Sequence, residues 1–570
     1  MNKEAILHNI SSNYTYPLDK NTTLIKIRVK KNDMKKVNLK YIDKYKFNYG
    51  DRNWRTTEME KVVTDQFYDY FEKNLPFDMI SMNYYFELEN DAETLYYGGY
   101  VFFTDENNPI RFNIPTVAED DVFNVPLWAK DAIVYQIFPD RFNKSNNYNS
   151  NKKFDSWDSK VTPKSNLGGN ILGIIEKFDY LKELGINTLY LTPIFKSNSN
   201  HKYDIDDYYE IDSDFGTKED LKNLVNLCHQ NNIRVILDSV FNHCGPNFFA
   251  FEDVVKNGEK SKYKDWFEID SFPVKVERNP NYKTFGHYYK MPKLMQKNPE
   301  TAEYFIDVAE YWIRELDIDG WRFDVADEVS HSFWRKLRDR LKKLKEDILL
   351  IAEIWYLSVP WLNGDQFDTV MNYPFLWCIG EFFAKKSITP EEFSNKLGLL
   401  RGEYKIQAYN ILWNMIGTHD VSRFLFEAGE DINKIKLASL FLMTYTGTPF
   451  IYYGDEIGMT GGGDPDNRRG MKWDDINYDL LEHYKKLIKI RKEKNLLRDG
   501  NLTDVLIDNK NNVYGFKRFN NKEEILIYIN NGDSDYSINL NCKQKDLITN
   551  NIYQKQLILK PNQGIILEKA

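Results

Sequence analysis

A (β/α)8 barrel with an insertion after its third strand, flanked by a β-sandwich at each end, is the fold this sequence predicts. Three features carry the prediction. Short apolar runs alternate with amphipathic helical segments between about residues 125 and 495, while both ends of the chain show period-two alternation broken by turn residues. Polar residues recur at the C-terminal ends of the central apolar runs, where a parallel barrel gathers its chemistry. At 570 residues the chain is too long for one ordinary core, which suits three domains.

The runs "LIKIRVK" (24–30), "VNLKY" (37–41), "YYFELE" (84–89) and "LYYGGYVFF" (95–103) predict antiparallel strands, hence a sandwich over 1–124. The charge cluster and proline of "AEDDVFNVPLWAKDA" predict a linker. Eight strand candidates follow: 133–138, "NTLYLTPIF" (187–195), "IRVILDSVF" (233–241), "DGWRFDV" (319–325), "ILLIAEIW" (348–355), "FDTVMNY", "YNILWNMIG" and "TPFIYYG". Between them lie "GIIEKFDYLKELG", "KEDLKNLVNLCHQNN", "PETAEYFIDVAEYWIREL" and "SFWRKLRDRLKKLK", each with an apolar stripe at helical spacing. An open doubly wound sheet is the alternative arrangement. Residues 241–298 read as an inserted subdomain. After the helix "LLEHYKKLIKIRKEK", the alternation of "NNVYGFKRFNN", "EEILIYINN" and "KQLILKPNQGIILEK" predicts a second sandwich over 496–570.

The net charge of −9 is spread along the chain, which argues against a surface that tracks nucleic-acid phosphates. The start "MNKEAILHNISSNYTYPLD" lacks the apolar run of a secretory signal, and no stretch is apolar enough to span a bilayer, so a soluble cytoplasmic protein without a membrane partner is expected. Cys228, Cys244, Cys378 and Cys542 are scattered without metal-ligand spacing and are expected to be free thiols.

The polar strand-end residues are Asp238, Asn242 and His243 on the third strand, Arg322 and Asp324 on the fourth, Glu353 on the fifth, and His419 and Asp420 on the seventh. Carboxylates from different strands would meet in one mouth. Such pairs suit glycoside hydrolysis, one attacking or stabilising an oxocarbenium-like centre and the other, with a raised pKa, protonating the leaving oxygen. Arg322 shares a strand face with Asp324 and is expected to keep it ionised. Asp319 and Gly320 read as the turn into that strand. A lone histidine such as His229 or His331 reads as a surface or packing residue.

At these positions the chain resembles glycoside hydrolase family 13, the α-amylase family. "DSVFNH" (238–243), "GWRFDVADE" (320–328), "AEIW" (352–355) and "IGTHD" (416–420) match its four conserved regions in order. The resemblance implies Asp324 as nucleophile, Glu353 as general acid/base and Asp420 as transition-state stabiliser. It implies His243, Arg322 and His419 around the reacting glucose, with Tyr203 stacked beneath it. "MPKLM" (291–295) and the N-terminal segments resemble the neopullulanase, cyclomaltodextrinase and maltogenic amylase subfamily. That implies a homodimer through the N-terminal domain and α-glucan oligosaccharides and cyclodextrins as substrates.

Two positions depart from the subfamily: Asp327 stands where its VANE region has Asn, and Tyr356 where EIWH has His. Trp355, Glu328 and Phe285 are expected to line the neighbouring acceptor subsites. No cofactor is required for the chemistry. Relatives bind structural calcium in a loop that here reads "FNKSNNYNSN" with "LGGN", so Asn143, Asn147, Asn149, Gly168 and Asn170 are the candidate ligands, with an asparagine-rich turn as the alternative. A non-catalytic glucan-binding protein, or another family enzyme such as an α-glucosidase, transferase or isomerase, are the competing functional readings.

Overall fold

The computed structural model describes residues 1–10, 12–148 and 152–570. Its centre is a closed parallel barrel, so the open-sheet alternative is set aside. The strands are β1 (Val134–Ile137), β2 (Thr188–Leu191), β3 (Arg234–Ser239), β4 (Gly320–Phe323), β5 (Leu349–Ile354), β6 (Thr369–Asn372), β7 (Trp413–Met415) and β8 (Thr448–Tyr452), with β8 pairing β1. Each is buried along its length, apart from half-buried Arg234 at the start of β3, because helices cover the outside and side chains fill the inside. The helix Pro299–Leu316 coincides with its predicted segment; Asn298 accepts from the N–H groups of Glu300 and Thr301, and the opening proline has no N–H that needs an acceptor. The segment around Lys177 is broken into two helices, Ile171–Glu176 and Phe178–Leu184.

The N-terminal region packs a four-stranded sheet on a six-stranded one, with Ile25, Ile27, Val37, Phe71, Phe86 and Leu88 between them. Its strand Thr22–Lys30 departs from simple alternation because the outer face is also covered. There Lys26 is fully buried, donating to Gly402 O at 2.7 Å and lying 3.2 Å from Glu72 Oε1, which also takes Arg401. The barrel helix Pro390–Glu403 approaches so closely that a Cβ on Gly398 would lie 2.0 Å from Thr64 O, and one on Gly402 would lie 2.6 Å from the Tyr70 ring. Glycine is required at both. The C-terminal strands form a six-stranded and a two-stranded sheet over Asn501–Lys569.

After β3 the chain forms the helix Phe249–Asn257 and returns through bridges such as His243 to Lys293 and Thr284 to Pro292. This hairpin-like excursion walls one side of the barrel mouth. Among the described residues no helix is long and apolar enough to cross a membrane.

Candidate active site

The C-terminal ends of the strands surround a cleft of about 690 Å³. Tyr203, His243, Phe285, Asp324, Glu328, Glu353, Trp355 and Asp420 line it, and Arg322 and His419 lie fully buried behind it. All ten residues expected to bind or transform substrate are therefore brought together. Phe285 stacks on His243 at 4.7 Å between ring centroids, and its neighbour Tyr288 stacks on Phe285, so the inserted segment supplies an aromatic wall.

Arg322 organises the centre. Its Nη1 donates to Asp324 Oδ1 at 2.9 Å and to both oxygens of Asp238 at 3.0 and 3.1 Å, and its Nη2 lies 2.9 Å from Glu353 Oε2. One guanidinium thus faces three buried carboxylates. Burial, with Glu353 and Asp238 nearby, pushes Asp324 well above the usual carboxylate range despite Arg322, and Asp238 rises to about 6. The expectation that Arg322 simply holds Asp324 ionised is corrected here, because its charge is divided among three acids. A proton retained in such a cluster belongs to the set rather than to one oxygen.

Glu353 is held from both sides. Oε1 accepts from Trp355 Nε1 at 2.9 Å and Oε2 from Val325 N at 2.9 Å. To present that N–H, β4 ends at Phe323, two residues before the run suggested, and Val325 adopts φ 44° and ψ 50°. A β-branched residue in the left-handed region costs on the order of 1–3 kcal/mol, strain of the kind that collects at functional sites.

Asp420 Oδ2 accepts from Tyr373 OH at 3.0 Å, and its Oδ1 lies 3.2 Å from His419 Nε2. The Gln136 amide sits 2.7 Å from His419 Nδ1 and can only donate there, so the proton of this ring is on Nε2, facing Tyr203 OH at 2.6 Å. The Tyr203 ring lies parallel to His419, at 2°. Burial lowers His243 to about 3 and holds His419 well below the ordinary imidazole value, so both are neutral near pH 7. His243 Nε2 is buried with no protein partner among the described residues.

Several residues escaped the sequence reading. Asp238 stands in the sequence as a strand end that opens "DSVFNH", with no role of its own; in the structure Tyr190 and Tyr203 both donate to its Oδ2, at 2.6 and 3.0 Å. Tyr373, after β6, and Arg468 and Asp464, after β8, lacked a recognisable motif, although Tyr373 follows strand-end Asn372 in "MNY". The "MPKLM" lysine has a visible purpose: Lys293 Nζ lies 3.1 Å from Glu328 Oε2 and also donates to Asn242 Oδ1, tying the insertion to the ends of β3 and β4. His331 stands away from the cleft, bonded to Gln366. His229 is not a bystander: with Arg234 it grips Asp319, which is a buried ion-pair centre rather than only a turn.

Of the calcium candidates, Asn143, Asn147, Gly168 and Asn170 lie on neighbouring loops, and Asn149 falls outside the described residues. Asn143 and Asn147 donate their amides to Glu176, Asn170 Oδ1 caps a helix at Gly173 N, and the carbonyls of Gly168 and Asn143 accept from Asn170. Calcium takes six to eight oxygens. Here donors surround Glu176, and the Asp140 carboxylate is already taken by Gly168 N, Leu167 N and Arg141, so these residues do not fit a calcium ligand set in this arrangement.

Comparison with known proteins agrees with this geometry. Residues 136–479 match the family described as alpha amylase, catalytic domain, and residues 1–118 match the alpha amylase N-terminal ig-like domain. A cyclomaltodextrinase of Geobacillus thermopakistaniensis (strain MAS1) is 45% identical, covering 93% of this chain and 91% of that protein. Neopullulanase 2 of Thermoactinomyces vulgaris is 40% identical over 99% of both chains. A solved structure of a cyclomaltodextrinase superposes with a TM-score of 0.95 at 38% identity, covering 100% of both chains. With a barrel whose mouth holds the four motifs in place, this chain belongs to the α-amylase family of glycoside hydrolases.

Proposed function

We propose that the protein is a retaining hydrolase of α-1,4-glucosidic bonds in cyclodextrins, maltodextrins and pullulan, with some transglycosylation. The observation that carries this reading is the placement of Asp324 and Glu353 on the two terminal nitrogens of the Arg322 guanidinium. Two carboxyls that close suit a covalent intermediate, which needs about 5–5.5 Å, rather than direct attack by an interposed water. Asp324 attacks C1 as the bond to the leaving oxygen breaks, and Glu353 gives that oxygen the shared proton. Glu353 then takes a proton from water or a sugar hydroxyl, whose oxygen bonds to C1 and releases Asp324. Tyr203 supplies the floor, and Asp420, Tyr373 and neutral His419 hold the sugar as charge develops at C1. The names of the relatives supply the substrate classes.

Chromatography of products from β-cyclodextrin, pullulan and maltotriose tests the reading. Maltose, glucose or panose released with retained anomeric configuration is expected, and inverted product or no release overturns it.

The same reading includes a homodimer through the N-terminal region. It is supported by exposed apolar side chains in that region: Tyr49 is 91% exposed, Ile80 64% and Tyr100 55%, and Val101 and Ile110 are exposed as well. Sedimentation at the monomer mass would reject it. A cytoplasmic location is supported by the four unpaired cysteines.

A further inference from the structure

The two residues that depart from the subfamily pattern touch each other: Tyr356 OH donates to Asp327 Oδ2 at 2.6 Å. They come from different loops, Asp327 in the turn Ala326–Glu328 after β4 and Tyr356 just beyond β5. Asp327 lines the cleft beside Glu328 and Trp355, while the half-exposed Tyr356 ring packs edge-on against Trp361 at 6.2 Å. The phenol is therefore held from behind.

Asp327 differs from every other carboxylate lining the cleft. Asp324 and Glu353 face Arg322, Asp420 and Asp464 face Arg468, and Glu328 faces Lys293. Among the described residues Asp327 faces no cation, and its Oδ1 has no protein partner. The carboxylate pushes the Tyr356 phenol up to about 12, so the phenol remains a donor through neutral pH. What remains is an anionic acceptor with one open oxygen on the acceptor side of the cleft, fixed by a neutral group that leaves its charge in place. Such a group binds neutral hydroxyl donors through short charge-assisted bonds and repels anions.

We propose that the Asp327–Tyr356 pair is a hydroxyl-binding wall at the acceptor end of the cleft, which makes a sugar compete successfully with water for the glucosyl group. The proposal rests on the retaining mechanism above. In the second half-reaction the C1–O bond to Asp324 breaks as an acceptor hydroxyl oxygen bonds to C1, and the hydroxyl proton passes to Glu353. Asp327 holds a second hydroxyl of the same sugar and so orients the attacking one. It contributes nothing to a water molecule or an aryl leaving group, which have no second hydroxyl to offer.

The test uses the full-length protein with maltotriose plus added glucose, and separately with p-nitrophenyl α-maltoside. Asp327→Asn is expected to lower the ratio of transfer to hydrolysis products about ten-fold, the size of one charge-assisted hydrogen bond. It should also lower kcat/KM on maltotriose relative to the aryl maltoside. Tyr356→Phe is expected to lower the transfer ratio only about two- to three-fold, because Asp327 keeps its charge and loses only the bond that orients it. The double variant should match Asp327→Asn alone, because the phenol acts through the carboxylate. An unchanged transfer ratio in Asp327→Asn overturns the proposal. So does an equal loss on sugar and aryl substrates accompanied by a lower melting temperature, which marks a merely structural bridge. Should the unmodified protein cleave neither substrate, the underlying hydrolase reading fails, and that is seen before any variant is made.

Discussion

Asp319 and Asp324 stand at opposite ends of β4 and are both nearly inaccessible, yet their surroundings differ in kind. At the lower end Asp319 accepts from His229 Nε2 at 2.8 Å, Arg234 Nη1 at 2.7 Å and Val235 N at 2.9 Å, with Lys345 Nζ at 3.6 Å. Burial alone would raise its pKa, but these donors outweigh burial and hold it below the ordinary value. Asp368, before β6, repeats the pattern with Arg338, Lys342 and Leu350 N. At the upper end one arginine serves three acids, and Asp324 is pushed up. The lower end satisfies its charge and so stabilises the barrel. The upper end leaves charge under-compensated, which costs stability and leaves a proton available for chemistry.

The sharpest way to break the comparison is Asp324→Asn. We expect β-cyclodextrin hydrolysis to fall about 10⁴-fold or more, on the scale of losing a reacting group, with a melting temperature equal to or above that of the parent. A lower melting temperature would mean that the upper cluster also stabilises the fold. The next largest effect belongs to the other end. Asp319→Ala leaves the buried Val235 N–H without its acceptor, while the Arg234 side chain, 41% exposed, keeps Asp347 at 3.9 Å, so the change should cost about 1–3 kcal/mol in urea unfolding. Its kcat per folded molecule should stay near the parent's. A variant of normal stability would show that the lower cluster is only a solvated contact.

The same contrast has a pH signature of opposite sign at the two ends. Asp319 is depressed on folding, so its contribution is present above its ordinary pKa of 3.8 and is lost as pH falls through the lower folded value. Asp324 is raised, so its contribution is present below 3.8 and is lost as pH rises through the higher folded value. The stability gained in Asp324→Asn should therefore grow from pH 4 towards neutrality, while the loss in Asp319→Asn should shrink as pH drops below 4. Melting temperatures measured across that range decide it. Parallel curves for the two variants would remove the electrostatic distinction.

The upper end was far more legible in sequence than the lower. Asp324, Glu353 and Asp420 stand in short motifs because chemistry fixes residue type and spacing together, and the barrel was legible because buried parallel strands are short apolar runs. Two partners of Asp319, His229 and Arg234, lie 90 and 85 residues before it, and any strong donor would serve, so no motif announces them. Val325's left-handed backbone was equally hidden, since a valine in a strand-like run signals the opposite conformation. Tyr373 was hidden because its role depends on where a helix starts relative to two other strands.

The smallest effect concerns the loop that follows β1. If hydrogen bonding within the protein satisfies that loop, as charge satisfies the lower barrel end, then metal has no further work there. Glu176 already receives Ser145 Oγ at 2.5 Å, Asn147 Nδ2 at 3.3 Å and Asn143 Nδ2 at 3.4 Å, and Asn170 Oδ1 is engaged by Gly173 N at 2.8 Å. Binding calcium would require turning the amides of Asn143, Asn147 and Asn170 so that oxygens converge, giving up their bonds to Glu176 and Gly173 before the first ligand forms. A ligand that binds only the folded state raises its melting temperature in proportion to the logarithm of its concentration over Kd. Melting curves in chelator and in millimolar calcium are accordingly expected to coincide. A rise with calcium that is lost in Glu176→Gln would show that the loop rearranges around the ion.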